Sequence, residues 1–242
     1  MLTSERTEIR VSLSGAFELS RNGESVDLAT PAQRVLAFLA LHEHPVRRDH
    51  VAGVLWLDSN EERAAGSLRS ALWRIRQCGE AIVESTQRGL RLSPAVFVDV
   101  REAVSWARRV VDASQPIEAA DVRQAFIGGD LLADWYDDWV LLERERLRQL
   151  RLHALDVLTH RLVAAGRYAE AMEVGLGALR SEPLRESAQR AVISVHLAEG
   201  NRSEALRQYR TYRDLLRAHL DLEPSALMTG LINALDVPVT AG

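Results

Sequence analysis

The sequence contains no lysine, and all 30 of its basic residues are arginine. Without lysine there is no Schiff-base chemistry and no GxxxxGK[ST] loop to cradle a nucleotide phosphate. Cys78 is the single cysteine, so an internal disulfide and a cysteine-based zinc cluster are both excluded. The seven histidines, His42, His44, His50, His153, His160, His196 and His219, show no HExxH pattern, and His42 and His44 read as decoration at a helix end. Gly175-Leu176-Gly177 lacks the third glycine and the preceding strand of a dinucleotide fingerprint, and Gly128-Gly129 reads as a helix break. Catalysis therefore has little support, and neither cofactor nor metal is expected. Long apolar runs are also missing. The longest, Val35 to Leu41, is seven residues, against the roughly 20 that a membrane span needs. The polar start, Met1-Leu2-Thr3-Ser4-Glu5-Arg6, is no signal peptide. A cytoplasmic protein with no membrane contact is expected.

What is present is the composition of packed protein: 242 residues, 47% apolar, 26% charged and 5% aromatic, with a net charge of −4. That length suits one large domain or two of about 100 to 150 residues. The net charge argues against a nonspecific nucleic-acid coat protein and says nothing of a local basic surface. Residues 1–95 carry 12 Arg and 12 acids, whereas residues 96–242 carry 18 Arg and 22 acids. Alternating patterns end and long helical periodicity begins near Ser93-Pro94-Ala95, where Pro94 disfavours helix at Ser93. This divides the chain into residues 1–95, residues 96–238 and a frayed tail at 239–242.

In the first part, Ile9, Val11, Leu13, Phe17, Leu19, Val26 and Leu28 mark strands around an Asn22-Gly23 turn. Thr30 followed by Pro31 predicts a capped helix through Val35, Leu36, Phe38, Leu39 and Leu41, stopped by Pro45. Asp49 is expected to cap a second helix carrying Val51, Val54, Leu55 and Trp56, and Ser59-Asn60-Glu61-Glu62 reads as the capping box of a third that runs to about Gln77. In that third helix Ala65, Leu68, Leu72 and Ile75 fall on one stripe. Residues 82–92 read as a hairpin turning near Arg88-Gly89. Strands, three helices and a hairpin are the plan of a winged helix-turn-helix. The third helix and hairpin concentrate charge, since residues 63–91 carry a net +4 through Arg63, Arg69, Arg74, Arg76, Arg88 and Arg91. Such residues serve either as ordinary surface ion pairs or as DNA contacts.

The second part is helical in pattern. Gly166-Arg167-Tyr168-Ala169-Glu170-Ala171 and Gly200-Asn201-Arg202-Ser203-Glu204-Ala205 look like one unit repeated at the tetratricopeptide period of about 34 residues. Flanking helices at 98–113, 119–127 and 139–164 would complete the stack. The fold class expected is mainly α: an α+β winged helix followed by an all-α, tetratricopeptide-like domain. Trp135 to Trp139, with Asp134, Asp137 and Asp138 interleaved, reads either as an acidic and aromatic surface for a partner or as core tryptophans beside a capped helix.

Leu55-Trp56, the run from Ala64 through Arg76 and the hairpin ending Arg88-Gly89-Leu90-Arg91-Leu92 resemble the OmpR/PhoB-type DNA-binding domain. Gly129-Asp130-Leu131-Leu132, Trp135-Tyr136-Asp137-Asp138-Trp139, Glu143 to Leu147, Glu182-Pro183-Leu184-Arg185-Glu186, Tyr209 to Leu216 and Leu222-Glu223-Pro224-Ser225 resemble the bacterial transcriptional activator domain. In this order they cover nearly the whole chain as in the SARP family, the antibiotic-regulatory activators of actinobacteria, whose GC-rich genomes suit a lysine-free composition. The resemblance implies a transcription activator that binds direct repeats near the −35 element as a tandem pair, a homodimer at least on DNA, and recruits RNA polymerase holoenzyme. It also implies control of an antibiotic gene cluster. From the residues themselves, no receiver domain is expected ahead of the winged helix. By motif position, Ser67, Ser70, Ala71, Trp73 and Arg74 would face bases or nearby backbone of double-stranded promoter DNA. Arg76 and the Trp56 indole N–H would meet phosphate, and Thr86 and Arg88 would sit on the wing. Trp73 replaces a residue commonly polar or basic, and Glu84 would repel phosphate if it faced DNA. These two departures keep open an adaptor whose winged helix holds protein, and a repressor with the same contacts is the other alternative.

Overall fold

The computed structural model describes residues 8–78 and 82–233. The expected tail at 239–242 lies outside the described residues. By their internal contacts the described residues form two compact units, 8–104 with 128–148, and 105–127 with 149–233. The expected boundary at 95 thus falls inside the first unit, because residues beyond it add a strand to that unit's sheet and a loop bonded to residues 13–15.

The first unit opens with β1 (Ile9–Ser12), β2 (Glu18–Arg21) and β3 (Glu24–Ser25). Asn22 and Gly23 both take positive φ (51° and 83°), as a two-residue hairpin turn with right-handed strand twist requires. Helices α1 (Thr30–Ala40), α2 (Arg48–Leu55) and α3 (Glu61–Gln77) follow, then the hairpin β4 (Val83–Thr86) and β5 (Gly89–Leu92), then β6 (Val96–Val98). The sheet order is β3-β2-β1-β6, with β6 parallel to β1, so the three helices and the hairpin form the crossover that parallel pairing needs. One core runs from Val11, Leu13 and Leu19 of the sheet through Val35, Leu36 and Leu39 of α1 to Leu55, Leu68 and Ile75.

Three helix starts differ in detail from expectation. The N-cap of α1 is Ala29, with Thr30 and Pro31 inside the first turn, where a proline's missing N–H costs nothing. The N-cap of α2 is Arg47, which pairs at 2.6 Å with Asp49 in the first turn. For α3 the cap is Asn60, whose Oδ1 accepts the Arg63 amide at 2.9 Å. The buried stripe of α3 is Ala64, Leu68, Ala71 and Ile75, while Ala65 and Leu72 are only half-buried. Adjacent apolar pairs, 64/65 and 71/72, leave the periodicity ambiguous by one residue, and the small side chains at 64 and 71 are the ones turned toward α1 and α2.

Helix α4 (Asp99–Val111) starts in the first unit. The Asp99 carboxylate accepts the amides of Leu13 at 3.0 Å and Ser14 at 2.9 Å, and Arg101 donates to the carbonyls of Leu39, Ala40 and His42 at and just past the C-terminus of α1. Residues 128–148 close the same unit. Leu132 N donates to Leu13 O at 2.8 Å and Ala133 N to Gly15 O at 2.7 Å, while Arg144 gathers the carbonyls of Leu131, Leu132 and Trp135.

The second unit is all-α. It contains the end of α4, α5 (Ala119–Ala125), the later turns of α6 (Asp138–Ala164), α7 (Tyr168–Ser181), α8 (Glu186–Ala198), α9 (Arg202–Leu220) and α10 (Ala226–Asn233). Gly166 and Gly200 occupy the α6–α7 and α8–α9 turns with φ of 71° and 80°, and the paired alanines, Ala171 and Ala205, are fully buried. The repeated hexapeptide therefore builds the same turn and the same close approach twice. Glu186 clamps α10 through the Ser225 amide and hydroxyl and also pairs with Arg190 at 2.9 Å.

Candidate nucleic-acid interface

The buried stripe of α3 fixes which of its residues face outward. At about 100° per residue, Trp73 stands half a turn from Ala64, at the middle of the exposed face. Glu62, Gly66, Arg69, Ser70 and Gln77 share that face, with Arg63 and Arg74 along one margin and Arg76 along the other. Trp73 is 62% exposed, and Arg63, Arg69, Ser70, Arg74 and Arg76 are exposed as well. None of these arginines has an ion pair among the described residues. Arg63 and Arg69 lie outside the motif positions that suggested contacts, yet the helical geometry alone puts them on this face.

The expected contact residues separate into three groups. Ser70, Trp73, Arg74 and Arg76 are exposed on α3, and Thr86 and Arg88 are exposed at the tip of the β4–β5 hairpin. Ser67 and Trp56 are half-buried. Trp56 ends α2 with its body against the core and lines a groove of about 750 Å³ between α2 and α3, whose charged lining is Arg48, Asp49, Glu61, Glu62 and Arg69. Ala71 is a correction: at 1% exposure its methyl belongs to the core stripe and is not available to DNA.

The hairpin is held by a close backbone approach. Val46 and Leu90 exchange hydrogen bonds of 2.7 and 2.8 Å, and Arg48 donates to the Ser85 hydroxyl at 2.9 Å. Gly89 makes this possible, since at φ 134° an added Cβ would lie 2.1 Å from the Val46 carbonyl oxygen. The turn itself is Gln87-Arg88, braced by Thr86, whose hydroxyl donates to Gly89 O and accepts the Arg88 amide. Glu84, the hairpin's one carboxylate, pairs with Arg91 across the strands at 2.6 Å. The Arg91 guanidinium and then the Ser93 hydroxyl hold its carboxyl below the usual range, against a smaller opposing effect of burial. Its charge is thus compensated within the hairpin, and Arg88 at the tip is left as the uncompensated cation.

The Trp135 to Trp139 segment resolves toward core. Phe17 stacks on Trp135 with centroids 6.1 Å apart, Trp139 meets both Trp135 and Phe38 edge to face, and Asp137 pairs with Arg34 of α1. Val140 N donates to Asp137 O at 2.9 Å in the first turn of α6, and Tyr136, at 79% exposure, stands out together with the exposed Asp134 and Asp138. Among the described residues, no three His, Cys, Asp or Glu side chains gather to hold a metal, and no helix is long and apolar enough to cross a membrane.

Residues 97–235 match the bacterial transcriptional activator domain. The chain belongs to that family. Residues 97–104 and 128–148 of the bacterial transcriptional activator domain lie in the first compact unit, so the domain's own sequence contributes to the unit that carries the winged helix. With the winged helix ahead of it, the chain has the plan of a SARP-type transcription regulator. Its fold is similar to that of Mycobacterium tuberculosis EmbR in complex with a low affinity phosphopeptide, with a TM-score of 0.76 at 22% identity. The likeness covers 95% of this chain and 65% of that one, so this chain spans just under two thirds of the EmbR length. No curated protein matches the chain.

Proposed function

We propose that this chain is a sequence-specific DNA-binding transcription activator in which α3 enters the major groove and the β4–β5 hairpin meets the neighbouring backbone. The observation that carries the reading is the set of exposed arginines on α3 and at the hairpin tip, none paired with an acid among the described residues, beside a Glu84 already neutralised by Arg91. Arg74 reads a base edge, where a guanidinium can give two hydrogen bonds to guanine, with Ser67 and Ser70 on bases or adjacent backbone. Arg76 and the Trp56 indole N–H hold phosphate, and Thr86 and Arg88 extend the contact from the wing. Two copies occupy short direct repeats near the −35 element and recruit RNA polymerase holoenzyme, at the promoters of an antibiotic gene cluster. No enzymatic step is involved.

The test is a footprint and gel shift on the intergenic DNA beside the gene, repeated over a salt series. Each phosphate contact contributes about −0.9 to the slope of log affinity against log salt. Tight binding unchanged by salt, or no binding, would favour the adaptor reading instead. Transcription in vitro with purified polymerase then separates activator from repressor, since only an activator raises the transcript level.

A further inference from the structure

Trp73 is the large side chain at the centre of the α3 face, and it is 62% exposed. The fold makes no use of it, because the core contacts of α3 are made half a turn away by Ala64, Leu68, Ala71 and Ile75. Gly66, two turns earlier on the same line, adds no side chain beside it, so the indole stands clear between Arg69 and Ser70. An arginine-flanked face carries an apolar centre.

We propose that Trp73 packs its indole against the 5-methyl group of a thymine in the major groove, and so requires a T·A pair at one position of each binding site. The proposal rests on the DNA-binding reading above. An indole has one N–H donor and no acceptor. Over the polar edge of guanine, adenine or cytosine the ring face would take water from donors and acceptors, and the single indole N–H could replace at most one of the bonds lost. Thymine offers the one apolar group in that groove, and its methyl and the indole leave water together. The flanking arginines hold the helix on the duplex while the tryptophan discriminates by what it cannot satisfy.

The experiment selects sites for the full chain from a random duplex pool, then resynthesises one with deoxyuridine replacing each thymidine in turn. Removing the one contacted methyl should weaken binding about fourfold, the value expected for losing burial of one methyl-sized group. At that position 5-methylcytosine should bind better than cytosine. Trp73→Ala, whose side chain the fold does not use, should retain salt-dependent binding to duplex DNA and bind the thymine and uracil sites equally. The proposal is overturned if no uracil substitution weakens the parent, or if Trp73→Ala keeps the parent's sensitivity. Failure of the parent to bind any duplex would overturn the DNA-binding reading itself, an outcome distinct from either.

Discussion

Replacing Gly89 by alanine should be among the most damaging single-methyl changes in the first unit. The added Cβ would sit 2.1 Å from the Val46 carbonyl oxygen and 2.5 Å from its carbon, both backbone atoms with no flexible end to swing aside. Relief requires breaking the Val46–Leu90 bridge, whose two hydrogen bonds contribute about 1 kcal/mol each. The φ of 134° adds strain of about 1 to 3 kcal/mol for a residue with a side chain. Together these come to about 3 to 5 kcal/mol, a large share of the roughly 5 to 15 kcal/mol that stabilises a domain. At an m value of about 2 kcal/mol per molar, the urea midpoint should fall by roughly 2 M. Tryptophan fluorescence is a suitable probe, since Trp56, Trp73, Trp135 and Trp139 belong to the first unit and only Trp106 to the second. Gly53→Ala is the matched control: it lies inside α2 with nothing within 4 Å of an added Cβ, and should stabilise by about 0.4 to 1 kcal/mol. A Gly89→Ala midpoint within about 0.3 M of the parent, or one matching Gly53→Ala, would refute the close-approach argument.

Arg76→Ala should weaken binding to all duplexes alike and lower the magnitude of the salt slope by about one, whereas Arg74→Ala should cost about 1 to 3 kcal/mol at the selected site and blur its consensus; titrations on specific and random duplexes separate the two, and parent-like behaviour of either variant removes its role. Arg144→Ala leaves the Leu131 and Trp135 carbonyls without the Arg144 donor, while Leu132 O keeps the Trp135 amide, and should destabilise the first unit by on the order of 2 kcal/mol in the same urea assay, with no change meaning the loop 131–135 is held otherwise. Burial, with the neighbouring Glu186 carboxylate, pushes the Tyr212 hydroxyl up to about 12 from 10.0. Because the folded value is the higher one, its stabilisation is complete below pH 10 and is lost as pH rises toward 12. Tyr212→Phe should remove that alkaline loss in melts followed by circular dichroism, and identical alkaline profiles would refute the assignment.

Most of the elements were legible because their signals are local. Alternation and Asn22-Gly23 mark the first hairpin, and the twin glycine turns with their buried alanines mark two helix junctions in the second unit. The misread positions are those where neighbouring residues were locally equivalent. Ala65 and Ala64 are interchangeable to a periodicity argument, as are Leu72 and Ala71, so two of the four expected stripe positions sit one residue off; motif position, which carries no information on burial, set Ala71 among the DNA contacts. The α3 cap moves by one residue for the same reason, since Ser59 and Asn60 both have the chemistry to cap, whereas α1 and α2 start after Ala29 and Arg47 with no side-chain capping bond.

The absence of lysine and the single cysteine, read from the chain alone, determined which chemistries it cannot perform, and the order of its motifs determined the family. Charge and its clustering on residues 63–91 were likewise legible, because composition and spacing need no third dimension. Only the tertiary structure decided how those charges are spent. It pairs Glu84 with Arg91 across a hairpin and turns Trp73 outward, while Trp135 and Trp139 go to the core with Phe17 and Phe38. It also takes residues 128–148 back to the first unit, where the Leu132 and Ala133 amides bond the Leu13 and Gly15 carbonyls. Each of these depends on which distant segments meet, and the free energy of such meetings comes from burial and pairing partners that no local window contains.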